Sequence, residues 1–300
     1  MIFNIEILPP LVFGILLFVL GGIIGSFLNV VIYRLPIILQ HKWENDCAIL
    51  AGGNEPVKSS FNLIYPRSHC RGCLKKIPEW ANIPFIGFLI LRGKCYFCKA
   101  KIPKRYLVVE LLTGGFFVIT GYYFSGFLLL GLLLYISFVI CLVFIDYDNF
   151  ILPDELTLPL LWVGILFNIH GMLSGSLESS VIGAVLGYLV LWSIYWGFKL
   201  ITKRDGMGYG DFKFLAAILA WVGYQALIPV TFIASTLGII YFVIILINDK
   251  IKISGNIKNV LQHNIPFGPF LGMASVLFIF LAHGVDSSLW LKGFLELPNL

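Results

Sequence analysis

Charge is scarce in this sequence: only 12% of its 300 residues are Asp, Glu, Lys or Arg, whereas 59% are hydrophobic. Soluble domains carry about 25% charged residues, which keep their surfaces in water. The mean hydropathy of +0.92 points the same way. This composition excludes a pair of ordinary soluble domains and predicts a protein that is solvated largely by lipid.

The apolar runs predict membrane-spanning helices, since a helix needs about 20 mostly apolar residues to cross the hydrocarbon core. Eight apolar runs are candidates, although the sixth is short, at residues 11–32, 106–124, 127–144, 156–169, 181–200, 212–221, 227–247 and 267–283. We expect an all-α polytopic membrane protein with about eight transmembrane helices, although one long span with a re-entrant piece also fits residues 212–247. The first run lacks the basic start and the cleavage motif of a signal peptide, so we expect it to be retained.

Basic residues are distributed unevenly among the connections. Residues 33–105 hold 13 of the 21 Lys and Arg residues, and residues 199–213 hold four more. With eight spans, the same side also receives Lys250, Lys252 and Lys258, and only Lys292 lies opposite. Because Lys and Arg are retained in cytoplasmic loops, we expect this side to face the cytoplasm. Membrane orientation and anionic lipid explain the charge, so we expect contact with membrane lipid and no nucleic-acid partner.

One long polar segment divides the chain. Residues 1–34 would form the first helix, residues 35–105 a small cytoplasmic domain with four cysteines, and residues 106–300 a domain of about seven transmembrane helices. The inserted segment is too long for a tight connection and has its own turn residues. No internal repeat is visible, so the inverted repeats of many transporters are not indicated.

Four of the six cysteines form two Cys-x-x-Cys pairs, Cys70 with Cys73 and Cys95 with Cys98, separated by 21 residues. This spacing is typical of a tetrahedral zinc site, and four sulfur ligands leave no position open for chemistry. Disulfides are disfavoured in the cytoplasm, and a redox-active motif normally occurs singly on a larger unit. The pattern predicts structural Zn²⁺, with Cys47 and Cys141 as bystanders.

Carboxylates cluster at two predicted membrane edges. The first cluster contains Asp146, Asp148 and Asp154, and the second ends at Asp211 in a Gly-Tyr-Gly-Asp motif. Two carboxyls held close together share one proton, so one can activate water while the other polarises a peptide carbonyl. Other readings are open: Asp154 is favoured as a helix cap, Asp148 as a solvated charge and Asp205 as an interfacial charge.

Several motifs occur together in a distinctive order. They are GSFLNVVIYRLP at residues 25–36, LRGKC at 91–95, VELLT at 109–113, the IDYD and LPDELTLP elements within 145–159, and GYGD at 208–211. Their combination resembles the type IV prepilin peptidase family across about residues 25–221.

The resemblance implies an aspartyl protease of the bacterial inner membrane. Such enzymes cut the basic leader from type IV prepilins and from pseudopilins of type II secretion, after a glycine, at the cytoplasmic face. The family's first catalytic aspartate lies eight residues before the acidic residue of the Leu-Pro-Asp element, which selects Asp146; the second is Asp211. Asp148 is the rival, because Tyr147-Asp148 resembles the Tyr-Asp of presenilin-like proteases.

Long family members with the cysteine domain also methylate the new N-terminal amine, usually of phenylalanine, with S-adenosylmethionine. No Gly-x-Gly-x-x-Gly loop follows a strand here, so a Rossmann-type site is not expected. Glu110, Asn29 and Arg34 are candidates for cofactor or substrate contact. Equally, Glu110 can pair with Arg105, and Arg34 can mark the membrane border.

Two other functions fit parts of the sequence. An ion-coupled transporter would also need membrane carboxylates, but these aspartates lie at one edge rather than at the midplane. A non-enzymatic adaptor would use the cysteine domain for docking. The cysteine domain has no obvious role in transport, and the adaptor predicts that both aspartates tolerate replacement by Asn.

Overall fold

The computed structural model describes residues 9–52, 61–173, 175–252 and 265–284. The chain divides into two compact units, the first ending at Cys141 and the second beginning at Leu142. This division falls elsewhere than the predicted boundaries near residues 34 and 105. Lys258 and Lys292, which entered the charge argument, lie outside the described residues.

Within those residues the protein is helical, with no strand. The helices are α1 (Pro10–Leu50), α2 (Ile86–Ile90), α3 (Arg105–Tyr123), α4 (Gly126–Asn149), α5 (Asp154–Phe167), α6 (Leu177–Thr202), α7 (Tyr209–Val222), α8 (Leu227–Lys252) and α9 (Gly268–Gly284), with short 3₁₀ turns at Glu79–Asn82, Asn168–His170 and Tyr224–Ala226. Each predicted apolar run corresponds to one helix, so the all-α class is confirmed.

Five of these helices are long and apolar enough to cross a membrane: α1, α3, α4, α6 and α8. Helix α9 is a shorter apolar helix, and α5 and α7 have only 14 residues each. Fourteen residues reach about 21 Å, less than the ~30 Å hydrocarbon core. The number of eight spans therefore stays a prediction.

Helix α1 is longer than its apolar run predicted. It continues through Pro36 and ends at Leu50, so its last turns belong to the segment predicted to form the cysteine domain. Proline usually kinks or ends a helix because it lacks an N–H donor. The sequence pattern predicted only the first part of the helix, since most residues from Gln40 to Leu50 are exposed and many of them are polar.

In the first unit, α1 packs closely against α3 through two glycines. A Cβ at Gly21 would lie 2.7 Å from the Cα of Gly114, and a Cβ at Gly25 would lie 2.8 Å from the Cα of Glu110. Gly21 and Gly25 are four residues apart and therefore share one face of α1. Small residues at this spacing let helix backbones approach in lipid.

In the second unit, α7 is the central helix. Every residue from Asp211 to Val222 except Lys213 is buried, and α5, α6 and α9 all contact this helix. Gly183 and Gly187 of α6 allow the approach, since a Cβ at Gly183 would lie 2.6 Å from the carbonyl oxygen of Leu219. Helix α7 therefore holds Asp211 in a tightly packed setting.

The last carbonyls of α7 have no partner within the helix and are bound by side chains. The Asn168 amide donates to the carbonyl oxygens of Ala220 and Trp221, at 3.0 and 2.7 Å, and the Ser180 hydroxyl also donates to Ala220. Buried carbonyls without partners are costly, so these bonds fix the far end of α7.

Candidate active site and metal centre

Asp146 lies in the last turn of α4 and is only 5% exposed. The C-terminal carbonyls of its own helix disfavour a negative charge there. The N-terminus of α9 offsets this, because the backbone N–H of Gly268 donates a hydrogen bond of 3.0 Å to Asp146 Oδ2. That N–H is one of the donors that a first helical turn leaves without an intrahelical partner.

Asp211 lies in the first turn of α7 and is 7% exposed. Gly208 is the N-cap residue of that helix, with extended backbone angles, and its carbonyl accepts the N–H of Asp211 at 3.2 Å. The first turn of a helix favours a carboxylate, because the helix dipole and its free N–H groups are positive there.

The second unit brings the two predicted catalytic aspartates together. The carboxyl groups of Asp146 and Asp211 are close enough to interact electrostatically, although the residues are 65 positions apart. Both side chains are buried near helix ends. Two carboxyls held close together can share one proton.

The other acidic residues near this pair have different surroundings. Asp148 is exposed, whereas Asp146 is buried. The prediction that Asp154 caps α5 is wrong: Pro153 is the N-cap residue, and both oxygens of Asp154 lie 2.8 Å from Lys213 Nζ. This ion pair links the start of α5 to α7, because Lys213 lies two residues after Asp211.

Asp205 belongs to a small cluster on the loop before α7. It lies 2.8 Å from Lys199 Nζ and accepts a hydrogen bond of 2.6 Å from the Tyr195 hydroxyl. Hydrogen bonding from Lys199 lowers the pKa of Asp205. The ion pair between Asp205 and Lys199 is largely exposed, so it contributes little to stability. The interfacial position expected for Asp205 stays a prediction.

Gly268 contributes to the site and was missed by the sequence argument. A Cβ on this residue would lie 2.6 Å from Asp146 Oδ2 and 3.1 Å from its Cγ. Only glycine therefore lets the first turn of α9 approach the carboxylate. The signal in the sequence was Gly268-Pro269 at the start of an apolar run, since proline is favoured in the first turn of a helix.

The glycines of the Gly-Tyr-Gly-Asp motif have separate roles. A Cβ at Gly210 would lie 2.9 Å from the Leu152 Cβ, so Gly210 lets the Leu-Pro-Asp segment approach α7. A Cβ at Gly208 would meet only Asp211 Oδ2, at 3.9 Å, and the N of Gly210, at 4.0 Å. Gly208 therefore leaves open space beside the carboxyl group.

We expect Gly208→Ala to affect the cleavage rate and Gly210→Ala to affect the stability. Gly208→Ala should fold normally, with thermal stability close to that of the parent, but should process substrate more slowly because a methyl group occupies space beside Asp211. Gly210→Ala should lower the melting temperature, since overpacking costs about 1–3 kcal/mol. Melting curves in detergent and cleavage rates measure the two effects, and equal stability losses would contradict this division.

The four cysteines of the first unit converge. The sulfur atoms of Cys70, Cys73, Cys95 and Cys98 all lie within 4.8 Å of one another, and Cys70 and Cys98 are 3.6 Å apart. Sulfur atoms of a tetrahedral zinc site are about 3.8 Å apart for Zn–S bonds of ~2.3 Å. The described cysteine cluster therefore fits a metal ion, and Cys47 and Cys141 are not part of it.

Each Cys-x-x-Cys pair sits on the same kind of turn. The N–H of Leu74 bonds to the carbonyl of Cys70, and the N–H of Lys99 bonds to the carbonyl of Cys95. Leu74 and Lys99, each directly after the second cysteine of a pair, both have a φ of 59°. Such turns point two sulfur atoms toward a common centre.

Backbone donors favour the thiolate of Cys95 but not that of Cys98. Hydrogen bonds from the backbone N–H groups of Cys98 and Phe97 lower the pKa of Cys95 to about 6. At Cys98, donation from Ala100 is outweighed by desolvation and the neighbouring sulfurs, and its pKa rises to about 11. Four thiolates repel one another, so a cation at their centre would stabilise the cluster.

We expect Cys73→Ser to lose the metal and loosen the cysteine segment, since a structural Zn²⁺ site supplies folding free energy that chelation removes. Metal content by atomic spectroscopy should fall from about one zinc per chain toward zero, with faster proteolysis of residues 61–104. Cys47→Ser is the matched control and should keep the metal. Full metal content in Cys73→Ser would contradict a four-sulfur site.

The three candidate residues for methyl transfer all line one cavity of the first unit. Two of them make structural contacts: the Asn29 amide donates to the Tyr106 carbonyl at 3.0 Å, and Arg34 donates to the Asn62 carbonyl at 2.9 Å. Glu110 differs, because among the described residues its donors are the backbone N–H of Phe85, at 2.8 Å, and the Ser26 hydroxyl.

Comparison with known proteins identifies the family. Residues 19–124 match the bacterial peptidase A24 N-terminal domain, and residues 133–243 match the type IV leader peptidase family. The chain therefore belongs to the type IV leader peptidase family, and the resemblance seen in its motifs is confirmed.

Curated relatives match most of the chain. A protein of Stutzerimonas stutzeri is 44% identical over 267 residues, covering 88% of this chain and 89% of the relative. One of Dichelobacter nodosus is 45% identical over 257 residues, covering 84% and 85%. One of Pseudomonas aeruginosa is 41% identical over 267 residues, covering 88% and 89%. All three are named prepilin leader peptidase/N-methyltransferase. No solved structure matches the chain.

Proposed function

We propose that this protein is a membrane aspartyl endopeptidase that removes the leader from type IV prepilins and type II secretion pseudopilins, and that it methylates the new N-terminus. The observation that carries the proposal is the burial of Asp146 and Asp211 within electrostatic range of each other at helix ends. The names of the relatives support the substrate class.

In the proposed cleavage, one carboxyl of the pair is ionised and the other protonated. The ionised carboxyl takes a proton from a water molecule, whose oxygen attacks the peptide carbonyl carbon. The protonated carboxyl donates a hydrogen bond to the carbonyl oxygen and stabilises the negative charge that develops there. Collapse of the tetrahedral intermediate breaks the C–N bond, and the leaving amine takes the proton that the first carboxyl removed from water. Gly268 holds Asp146 in position, and the open space beside Gly208 admits the substrate backbone next to Asp211.

The site fits cleavage at a membrane boundary. Asp146 is close to the end of α4 and Asp211 to the start of α7. In the proposed membrane topology, both carboxyls would lie where these helices leave the apolar layer. A prepilin whose apolar stem lies in the membrane would present the bond after its glycine at this depth. The lysines and arginines of the connections support a cytoplasmic orientation in the inner membrane.

For the second activity, S-adenosylmethionine is the proposed methyl donor; when bound, it supplies an electrophilic methyl group. The proposed Zn²⁺ would be held by Cys70, Cys73, Cys95 and Cys98. With four sulfur ligands it has no open coordination position, so its contribution is to hold the cysteine segment together.

The test uses purified full-length protein in detergent and a synthetic prepilin with its leader. Mass spectrometry should detect leader removal without any membrane gradient, and a mass increase of one methyl group only when S-adenosylmethionine is added. Absence of cleavage by folded, metal-loaded protein would contradict the peptidase assignment and favour an ion-coupled transporter. Cleavage without methylation would overturn the methyltransferase part alone.

A further inference from the structure

The first unit contains a cavity of about 280 Å³ that the proposed peptidase mechanism does not use. Its lining includes Ser26 and Tyr33 of α1, Tyr106 and Glu110 of α3, and Arg71 between Cys70 and Cys73. Ser26 and Tyr33 are two helical turns apart, and Tyr106 and Glu110 are one turn apart, so each pair lies on one helix face. The cavity is therefore built by secondary structure.

One wall contains a buried carboxylate whose hydrogen-bond donors, among the described residues, are neutral groups. Glu110 is 8% exposed, and its hydrogen bonds come from neutral groups, the Phe85 N–H at 2.8 Å and the Ser26 hydroxyl. A buried carboxylate is costly unless a positive charge or several donors compensate it. A cationic ligand in the cavity would supply that charge.

Another wall carries a fixed guanidinium group and aromatic rings. The Arg71 guanidinium lies 3.8 Å from the Tyr33 ring centroid and donates a hydrogen bond of 2.9 Å to the Tyr106 hydroxyl. Its planar fork of donors suits a carboxylate. Tyr96 and Phe97 also line the cavity and offer flat apolar faces to a heteroaromatic ring.

We propose that this cavity binds S-adenosylmethionine, with Glu110 recognising the sulfonium and Arg71 the methionine carboxylate. The inference rests on the proposed methyltransferase function and assigns its cofactor site. The groups on the walls indicate the class of ligand. S-adenosylmethionine combines a cationic sulfonium, a carboxylate and a flat base, and each of these has a matching group on the walls. The volume is near the lower end of the ~300–1,000 Å³ range of small-molecule pockets.

The assignment changes the candidate set taken from the sequence. Glu110 remains a candidate for direct contact with the ligand, whereas Asn29 and Arg34 stabilise the walls of the cavity through hydrogen bonds. Asn29 ties α1 to the first turn of α3, and Arg34 holds the carbonyls of Asn62 and Pro66 in the cysteine segment. Arg71 and Tyr33 were not predicted, because only the fold brings a residue of the metal knuckle next to α1.

Binding of two related ligands tests the charge recognition. Isothermal titration of full-length, metal-loaded protein in detergent should give S-adenosylmethionine and S-adenosylhomocysteine binding; the second is a neutral thioether with the same base and carboxylate. Glu110→Gln should weaken S-adenosylmethionine at least about tenfold but change S-adenosylhomocysteine by less than about twofold. Glu44→Gln, at an exposed position of α1, should change neither.

Arg71→Gln provides the complementary pattern. Both ligands carry the carboxylate, so both should bind at least about tenfold more weakly, with zinc content unchanged. If Glu110→Gln does not fold, Arg71→Gln alone tests whether the cavity binds S-adenosylmethionine. Unchanged binding in Arg71→Gln, or an equal loss of both ligands in folded Glu110→Gln, would overturn the site. A parent protein that cleaves prepilin but binds neither ligand would instead overturn the methyltransferase function.

Discussion

Asp211→Asn is expected to abolish leader removal while leaving the protein folded in the membrane. Asparagine keeps the shape of the side chain but cannot accept the proton of a water molecule or share one with Asp146. A positioned acid or base contributes about 10²–10⁴-fold to a rate, and here both roles depend on one pair, so we expect a loss of about 10³-fold or more. Asp146→Asn should give the same result.

Asp148→Asn and Asp154→Asn are the matched controls. Asp148 is exposed, and Asp154 pairs with Lys213 at a partly exposed site, so each variant should keep most of its cleavage rate. Rates on a synthetic prepilin, with gel filtration to check folding, measure all four variants. Complete cleavage by Asp146→Asn or Asp211→Asn would refute the catalytic assignment. Methylation of a pre-cleaved substrate should persist in both.

Gly268→Ala is expected to reduce the cleavage rate by about 10²-fold, because displacing a catalytic group by about 1 Å can lower a rate by that factor. The added methyl group would lie 2.6 Å from Asp146 Oδ2, so the carboxylate or the start of α9 must move. The N–H donor is retained, which makes the change one of position. We expect kcat to fall with little change in KM, since Gly268 acts through Asp146.

Gly238→Ala in α8 is the matched control for Gly268→Ala. Its Cβ would lie 3.5 Å from the Phe270 ring of α9, an ordinary contact, so stability and cleavage should both be near those of the parent. A merely structural role of Gly268 would lower the melting temperature and leave kcat of the folded fraction unchanged. To calculate kcat, the concentration of folded protein is measured by a method that does not depend on the active site. An unchanged kcat would show that Gly268 does not position Asp146.

The sequence was sufficient to place the apolar helices, the buried aspartate pair and the cysteine cluster. Apolar runs predict helices in lipid because every backbone group must be satisfied within its own segment. The spacing to the Leu-Pro-Asp element favoured Asp146 over Asp148 as the candidate catalytic residue. In the structure, Asp146 is buried and Asp148 is exposed. The cysteine spacing predicted a convergence that the structure contains.

The remaining features depend on contacts between distant segments. The partner of Asp146 lies 122 residues away, at Gly268, and no local pattern connects the two. The match to the type IV leader peptidase family also ends at residue 243, before α9. Arg34 resembled a border residue in the sequence, but its donors bind carbonyls some 28 residues later. Side-chain partners of this kind follow from packing, which periodicity does not encode.

The hydrogen bond between Gly268 and Asp146 has a consequence for biosynthesis. Helix α9 is the last described helix and leaves the ribosome long after α4 and α7. Until its first turn reaches Asp146, that carboxylate lacks its backbone donor, and the nascent protease is expected to be inert. Chains that terminate before residue 268 should therefore insert into the membrane without cutting the pilins made beside them.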